Sequence, residues 1–284
     1  MIIFKHAADL KKFLASSPLS ERTVGFIPTM GALHAGHLSL LKASKEKCTI
    51  TVSSIFVNPT QFNNADDFKK YPKTIERDIL LLEENGCDIL FLPDEKEMYP
   101  DETSKNKHFD LGYAETILEG KFRPGHFQGV SLVVEKLLHI VEPDFLFLGQ
   151  KDFQQCIIIK RLISLMGIKT QVIVCPILRE ENGLAMSSRN LRLSDREKEI
   201  ASNLYQSLLS IKENPKNEDF STLKKRAVQN LESAGFNVDY LELAKSEDLA
   251  LLKDFIDDEE MVILVAAFLH HVRLIDNLVI NPSN

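Results

Sequence analysis

Between residues 24 and 175 the chain alternates short apolar or β-branched runs with stretches whose apolar residues recur at helical spacing, and few folds accept that rhythm. Runs 24–27, 49–57, 89–92, 145–148 and 171–175 predict buried strands. Segments 74–84, 128–141 and 152–166, with one more helix starting near Gly36, predict the connecting helices. Strand, helix, strand in that order implies a parallel sheet with right-handed crossovers, and such a sheet binds ligands in a crevice outside the carboxyl ends of its strands. The fold class expected is α/β, with a Rossmann-like parallel-sheet domain over residues 1–176. Residues 93–125, rich in charge and turn formers, read as a long loop region with one helical stretch; loops of that length in compact domains are often functional.

Three of the strand exits carry polar clusters. After the first comes Pro28-Thr29-Met30-Gly31-Ala32-Leu33-His34-Ala35-Gly36-His37. Its glycines let backbone approach a ligand closely, and the helix start offers N–H groups and a positive dipole end to an anion. His34 and His37 stand three apart. On one first turn they share a side, so two imidazole N–H donors can converge on one phosphate oxygen. Two histidines that merely cap a helix or face solvent meet the same spacing. Asn58 and Gln61 follow the second strand, and Gly149-Gln150-Lys151-Asp152, with Gln155 beyond, follows the fourth. Segments so placed can face one crevice, which unrelated loops would not arrange. Asp152 is at least as well suited to cap the next helix as to touch a ligand.

Past Pro176 the pattern changes. Residues 179–190 are a polar, turn-forming stretch that reads as a loop, and Ser194-Asp195-Arg196-Glu197 is a capping box opening a helix to about Ile211. Residues 220–234 predict a second helix, and 238–243, 261–268 and 272–280 alternate as strands of a small antiparallel sheet. Residues 177–284 are therefore expected to form a smaller C-terminal α+β domain, with the boundary near Pro176.

Composition narrows the function classes. A chain of 284 residues, 44% hydrophobic and 26% charged, suits a globular enzyme with a sizeable core. Its formal charge of -7 argues against wrapping nucleic acid, while leaving room for a local basic pocket. Cys48, Cys87, Cys156 and Cys175 contain no C-x-x-C pair, so neither a zinc cluster nor a disulfide framework is indicated, and a cytoplasmic, reducing setting is expected. The N-terminal stretch interleaves Lys5, Asp9, Lys11 and Lys12 with Phe4, Leu10, Phe13 and Leu14, an amphipathic pattern unlike a signal peptide. The longest apolar run, 261–269, is too short to span a bilayer as a helix. Neither nucleic acid nor membrane is an expected partner. No Walker A, G-x-G-x-x-G, H-E-x-x-H or G-x-S-x-G pattern occurs. Lys121, Arg123 and His126 read as a solvated loop, Met30 and Met186 as core on sequence alone, and His6, His108, His139, His270 and His271 as ordinary histidines.

His34-Ala35-Gly36-His37 and the later Met186-Ser187-Ser188-Arg189 resemble the paired signatures of the HIGH/KMSKS nucleotidyltransferases. Five blocks carry a narrower likeness: Pro28 to His34, Phe56-Val57-Asn58-Pro59-Thr60-Gln61-Phe62, Arg123-Pro124-Gly125-His126-Phe127, Gly149-Gln150-Lys151-Asp152-Phe153-Gln154-Gln155, and Gly183-Leu184-Ala185-Met186-Ser187-Ser188-Arg189-Asn190. Jointly these resemble the pantothenate synthetase (pantoate–β-alanine ligase) family. Thr60 and Gln150 depart from the family pattern without removing a functional group, and beyond Asn190 the likeness is loose.

The resemblance implies a two-step reaction: pantoate and ATP give pantoyl adenylate and pyrophosphate, then β-alanine displaces AMP to give pantothenate. It implies His37 and His34 as catalytic donors. It implies ATP binding by Met30, His34, His37, Gly149, Gln150, Lys151, Asp152, Leu178, Met186, Ser187, Ser188 and Arg189. Gln61, Gln155 and Asn58 would take pantoate and β-alanine. Mg2+ would accompany ATP with its ligands unassigned, the C-terminal domain would close over the ATP site, and the chain would be a homodimer. The rival is a related nucleotidyltransferase acting on a different small acid or a phosphorylated substrate; a phosphate would call for Lys or Arg where Gln61 and Gln155 stand. A class I aminoacyl-tRNA synthetase shares both signatures, but the acidic balance and the lack of a basic extension speak against tRNA. A nucleotide sensor without turnover has no use for both amides beside both phosphate motifs.

Overall fold

Six parallel strands build the first unit: β1 (Ile2–Phe4), β2 (Val24–Thr29), β3 (Ile50–Ile55), β4 (Ile89–Phe91), β5 (Phe145–Gly149) and β6 (Gln171–Cys175), in spatial order β1-β4-β3-β2-β5-β6. In this computed structural model, residues 1–16, 22–63, 65–214 and 218–281 are described. The chain runs outward from β2 through β3 to β4, then returns to place β5 on the other side of β2. The carboxyl ends of β2 and β5 therefore flank the point where strand order reverses, the usual ligand crevice of such sheets. The helices are α1 (Ala7–Ser16), α2 (Ala35–Lys47), α3 (Ala65–Lys69), α4 (Ile75–Glu84), α5 (Glu95–Met98), α6 (Leu118–Phe122), α7 (His126–Val141) and α8 (Phe153–Met166).

Packing explains which segments became which element. Phe26, Val52, Leu90, Phe91 and Leu146 are fully buried, as strands covered on both faces require. α7 buries Phe127, Val130, Leu132, Val133, Val134, Leu137, Leu138 and Val141, which is nearly its whole circumference, so it is an interior helix rather than a surface one. Three details depart from the expected pattern. β1 was absent from the strand set, because Phe4 reads as part of the amphipathic stretch that follows, and it is held by parallel pairing of Ile2, Ile3 and Phe4 with Ile89, Leu90 and Phe91. The strand expected over 49–57 ends at Ile55, ahead of the Asn58-Pro59 turn. Residues 93–125 contain two short helices, α5 and α6, with 3₁₀ turns at Glu102–Lys105 and Tyr113–Glu115.

The second unit contains α9 (Asp195–Ala201), α10 (Asn203–Lys212), α11 (Phe220–Ser233) and an antiparallel sheet of β7 (Phe236–Lys245), β8 (Leu251–Leu252), β9 (Met261–Leu269) and β10 (Val272–Ile280), ordered β10-β9-β7-β8. Ser194 and Glu197 form the expected capping box, with Ser194 N–H donating to Glu197 Oε2 at 2.7 Å and Glu197 N–H donating to Ser194 Oγ at 3.3 Å. The single helix expected from there is two helices that meet at Ser202. Leu204, Leu208 and Ile211 of α10 and Leu223, Ala227 and Leu231 of α11 recur at helical spacing and share one core with Ile263, Val265 and Ala267 of β9.

By internal contacts, Met1–Gly149 groups with Ile158–Pro176, and Gln150–Ile157 groups with the chain from Ile177 on. Within the second group, Asn277 of β10 donates to the first two carbonyls of the segment 150–157.

Candidate active site

In the first unit, β2 leads into α2 through a strained turn. Gly31 has φ +84° and Ala32 φ +51°, two successive residues in the left-handed region, which costs a non-glycine residue unless neighbours hold it. Asp78 of α4, fully buried, supplies the hold. Its carboxylate accepts the N–H of Ala32 and of Leu33 at 2.8 Å each and the Thr74 hydroxyl at 3.1 Å. The turn delivers His34 as the N-cap of α2 and His37 as its third residue. The two imidazoles converge, with ring centroids 4.0 Å apart. His34 N–H donates to Nδ1 of His37 at 3.3 Å. A ring nitrogen that accepts carries no proton, so the neutral His37 ring has its proton on Nε2.

At the end of the neighbouring β3, Asn58 and Gln61 form a small network whose polarity is fixed by backbone. Asn58 Oδ1 accepts from the Thr60 N–H at 3.3 Å, and Asn58 Nδ2 donates to the Gly129 carbonyl at 3.0 Å. Neither partner can reverse its role, so the Asn58 amide has one orientation. Asn58 Nδ2 also donates to Gln61 Oε1 at 3.1 Å, which leaves Gln61 Nε2 as the donor end, 2.9 Å from Met30 Sδ. Behind them the Tyr99 hydroxyl donates to Asn58 Oδ1 at 2.8 Å, and burial pushes its pKa up to about 12, so it remains a donor. Asn58 is thus buried and engaged on both ends of its amide. It orients Gln61. His126, read from sequence as a solvated residue, is buried, and its Nδ1 lies 2.8 Å from the Gln61 carbonyl. Gly129 of α7 lies so close that a Cβ there would stand 2.2 Å from the Thr60 carbonyl oxygen.

Except for Gly149, the remaining predicted residues lie in the second unit. Gln150, Lys151 and Asp152 form a 3₁₀ turn, with Lys151 Nζ 3.7 Å from Asp152 Oδ1. Gln155 is half-buried on the first turn of α8. A tight hairpin pairs Arg179 with Ala185, and Met186 N–H donates to the Leu178 carbonyl at 3.0 Å. It delivers Ser187 as N-cap of the 3₁₀ segment Ser188–Arg192, with Ser187 Oγ accepting the Arg189 N–H at 3.3 Å. Leu178 is exposed, Ser188 buried, and Met186 and Arg189 half-buried. Gly149 ends β5 in the first unit, beside β2. Residues the sequence did not single out are Asp78, Tyr99, Asp276 and Asn277, all of which position the others.

A family model described as pantoate-beta-alanine ligase matches residues 2–279. The chain belongs to the pantoate–β-alanine ligase family. It is 46% identical to a pantothenate synthetase of Cytophaga hutchinsonii, over 99% of both chains. A solved pantothenate synthetase of Thermus thermophilus superposes with a TM-score of 0.91 at 37% identity, covering 99% of this chain and 100% of that one. A pantoate-beta-alanine ligase of Francisella tularensis, solved with beta-gamma ATP and beta-alanine, gives a TM-score of 0.81 at 38% identity over 98% and 97% of the two chains. The α/β fold with its separate antiparallel sheet, and the family reading made from the five sequence blocks, agree with these relatives. As a member of this ligase family the chain is an enzyme, and among its described residues no helix is long and apolar enough to cross a membrane.

Proposed function

We propose that this ligase condenses pantoate with β-alanine through a pantoyl-adenylate intermediate, using the residues described above. The observation that carries the reading is the amide that follows β3: Asn58 takes the Gln61 oxygen, so the other end of that amide is a donor, Nε2, which lies 2.9 Å from Met30 Sδ. Such a donor suits the oxygens of a small hydroxy acid. It binds a carboxylate without neutralising it, as an arginine would, and it offers a phosphate too little charge.

Pantoate's carboxylate is ionised at neutral pH, so attack on the α-phosphorus needs no general base. It needs alignment and a place for the charge that builds on the phosphoryl oxygens. One carboxylate oxygen bonds to phosphorus and the bond to the β-phosphate oxygen breaks, with pyrophosphate leaving. His34 and His37, at the positive end of α2, donate to the α-phosphate as that charge grows. In the second unit Lys151, Ser187, Ser188 and Arg189 take the β- and γ-phosphates, while Gly149, Gln150, Asp152, Leu178, Met186 and Met30 line the nucleotide. Gln155 joins Gln61 on pantoate, and Asn58 serves through Gln61. β-Alanine's amine then attacks the acyl carbon and AMP leaves. Mg2+ accompanying ATP would share the negative charge of the phosphates with Lys151, Ser187, Ser188 and Arg189. The 177–284 region closing over bound ATP, a homodimer and a cytoplasmic location complete the reading; for the first two the support is family resemblance, and for the third the cysteine pattern.

The deciding experiment is isotope exchange between ATP and pyrophosphate with β-alanine left out. Pantoate is expected to drive it, and exchange at background level would overturn the adenylate route. A second expectation concerns Gly129. In Gly129→Ala the new methyl group drives the loop of Gln61 away from α7, so KM for pantoate should rise by about 10-fold or more with KM for ATP little changed. Steady-state kinetics with each substrate varied in turn checks this, and parallel rises in both constants would contradict it.

A further inference from the structure

Two adjacent residues of β10 hold both polar segments of the second unit. Successive residues of a strand face opposite sides, and Asp276 and Asn277 use both sides. Asp276 occupies the row of Val272, Leu274, Leu278 and Ile280, which pack into the core of this unit. Its buried carboxylate takes Arg179 in a two-pronged pair, Nη1 to Oδ2 at 2.6 Å and Nη2 to Oδ1 at 3.0 Å. Arg179 also donates to the Gly183 carbonyl at 3.0 Å and lies 3.7 Å over the Tyr205 ring. The base of the 179–186 hairpin is thereby fixed. Asn277, 1% exposed, faces the other way. Its Nδ2 donates to the carbonyls of Gln150 and Lys151 at 3.0 Å each, and its Oδ1 accepts from Gln150 Nε2 at 3.1 Å. One side-chain amide therefore sets the backbone of the turn that carries Lys151.

We propose that Asp276 and Asn277 act as a clasp between the Lys151 turn and the hairpin leading to Ser187-Ser188-Arg189, and that Asn277 is a positioning residue for adenylation. The proposal rests on the reading of these segments as the holders of the β- and γ-phosphates. An amide is required at 277. It must donate to two carbonyls and accept from one side-chain amide, which a carboxylate of the same shape cannot do. A nearly isosteric Asn277→Asp would set a carboxylate against two carbonyl oxygens and release the turn without opening a cavity.

The step that consumes the adenylate no longer contains the β- and γ-phosphates, so it separates a positioning role from general damage. For Asn277→Asp, and for Asn277→Ser should the first variant melt below the assay temperature, pantoate-dependent ATP–pyrophosphate exchange should fall about 10²-fold, with most of the loss on the ATP side. Formation of pantothenate from supplied pantoyl adenylate and β-alanine should stay within about twofold of the parent protein. Asp276→Asn, which weakens the Arg179 pair, should show the same split to a smaller degree. Equal losses in both half-reactions, or no loss in exchange, would overturn the proposal. Failure of the underlying reading would look different, since the unmodified protein would then show no pantoate-dependent exchange.

Discussion

Replacing His37 with alanine should lower turnover by about 10²-fold or more, with the loss expressed in kcat of the adenylation step. The expectation follows from the geometry at the start of α2. Nδ1 of His37 accepts the His34 N–H, so the ring's proton is directed elsewhere, on Nε2. A donor aimed at developing charge acts chiefly in the transition state, and its removal therefore lowers kcat more than it raises KM. Loss of the contact to the His34 N–H is a capping effect of about 1 kcal/mol, too small to unfold the protein. Single-turnover rates with saturating ATP and pantoate, read beside a thermal melt, check the expectation. A variant with an unchanged rate would reduce His37 to a cap.

The second large effect is expected at Asp78. In Asp78→Ala two buried N–H groups, those of Ala32 and Leu33, lose their acceptor. An orphaned buried donor costs about 1–3 kcal/mol, so the pair should cost about 3 kcal/mol or more. For a unit of this size that is a fall in Tm on the order of 10 °C. Turnover should also drop, because the carboxylate holds Ala32 at φ +51° two residues before His34. Asp78→Asn keeps one acceptor oxygen and should lose less of both. Calorimetry of the three proteins tests the order; an alanine variant that melts with the parent would show that the turn holds itself.

These two residues differ in how far the sequence announced them. His37 stands in a motif whose glycines, preceding strand and following helix are all local, a pattern that fits an anion site and a helix cap equally until the other segments and the family resemblance are added. Asp78 looked like an ordinary acid in the first turn of a helix, which it also is; its partners lie 45 and 46 residues earlier, beyond any local pattern. The parallel sheet was legible because buried strands and helices write different periods. β1 was not, since Phe4 reads as part of the amphipathic stretch that follows and the strand's pairing is set by β4. His126 looked solvated because its neighbours Lys121 and Arg123 are charged, while the contact that buries it lies on Gln61. Asp276 did leave a signal: it interrupts the alternating apolar row of β10 at the parity that faces the core. A carboxylate in such a row implies a partner, though not which arginine supplies it.

The direction in which Gln61 points bears on which molecules this enzyme can refuse. Its amide cannot rotate to offer oxygen without setting two N–H groups, its own and that of Asn58, against each other, and Asn58 is locked by the Thr60 N–H and the Gly129 carbonyl. The polarity of that hydrogen bond is therefore set by the main chain. If Gln61 holds pantoate as proposed, an analogue that presents an ammonium group in place of the oxygen at this position should meet donor against donor. The orientation is carried from the main chain to Gln61 by one side chain, Asn58, so it should be lost by changes at Asn58 or by changes that move the backbone of Thr60 or Gly129.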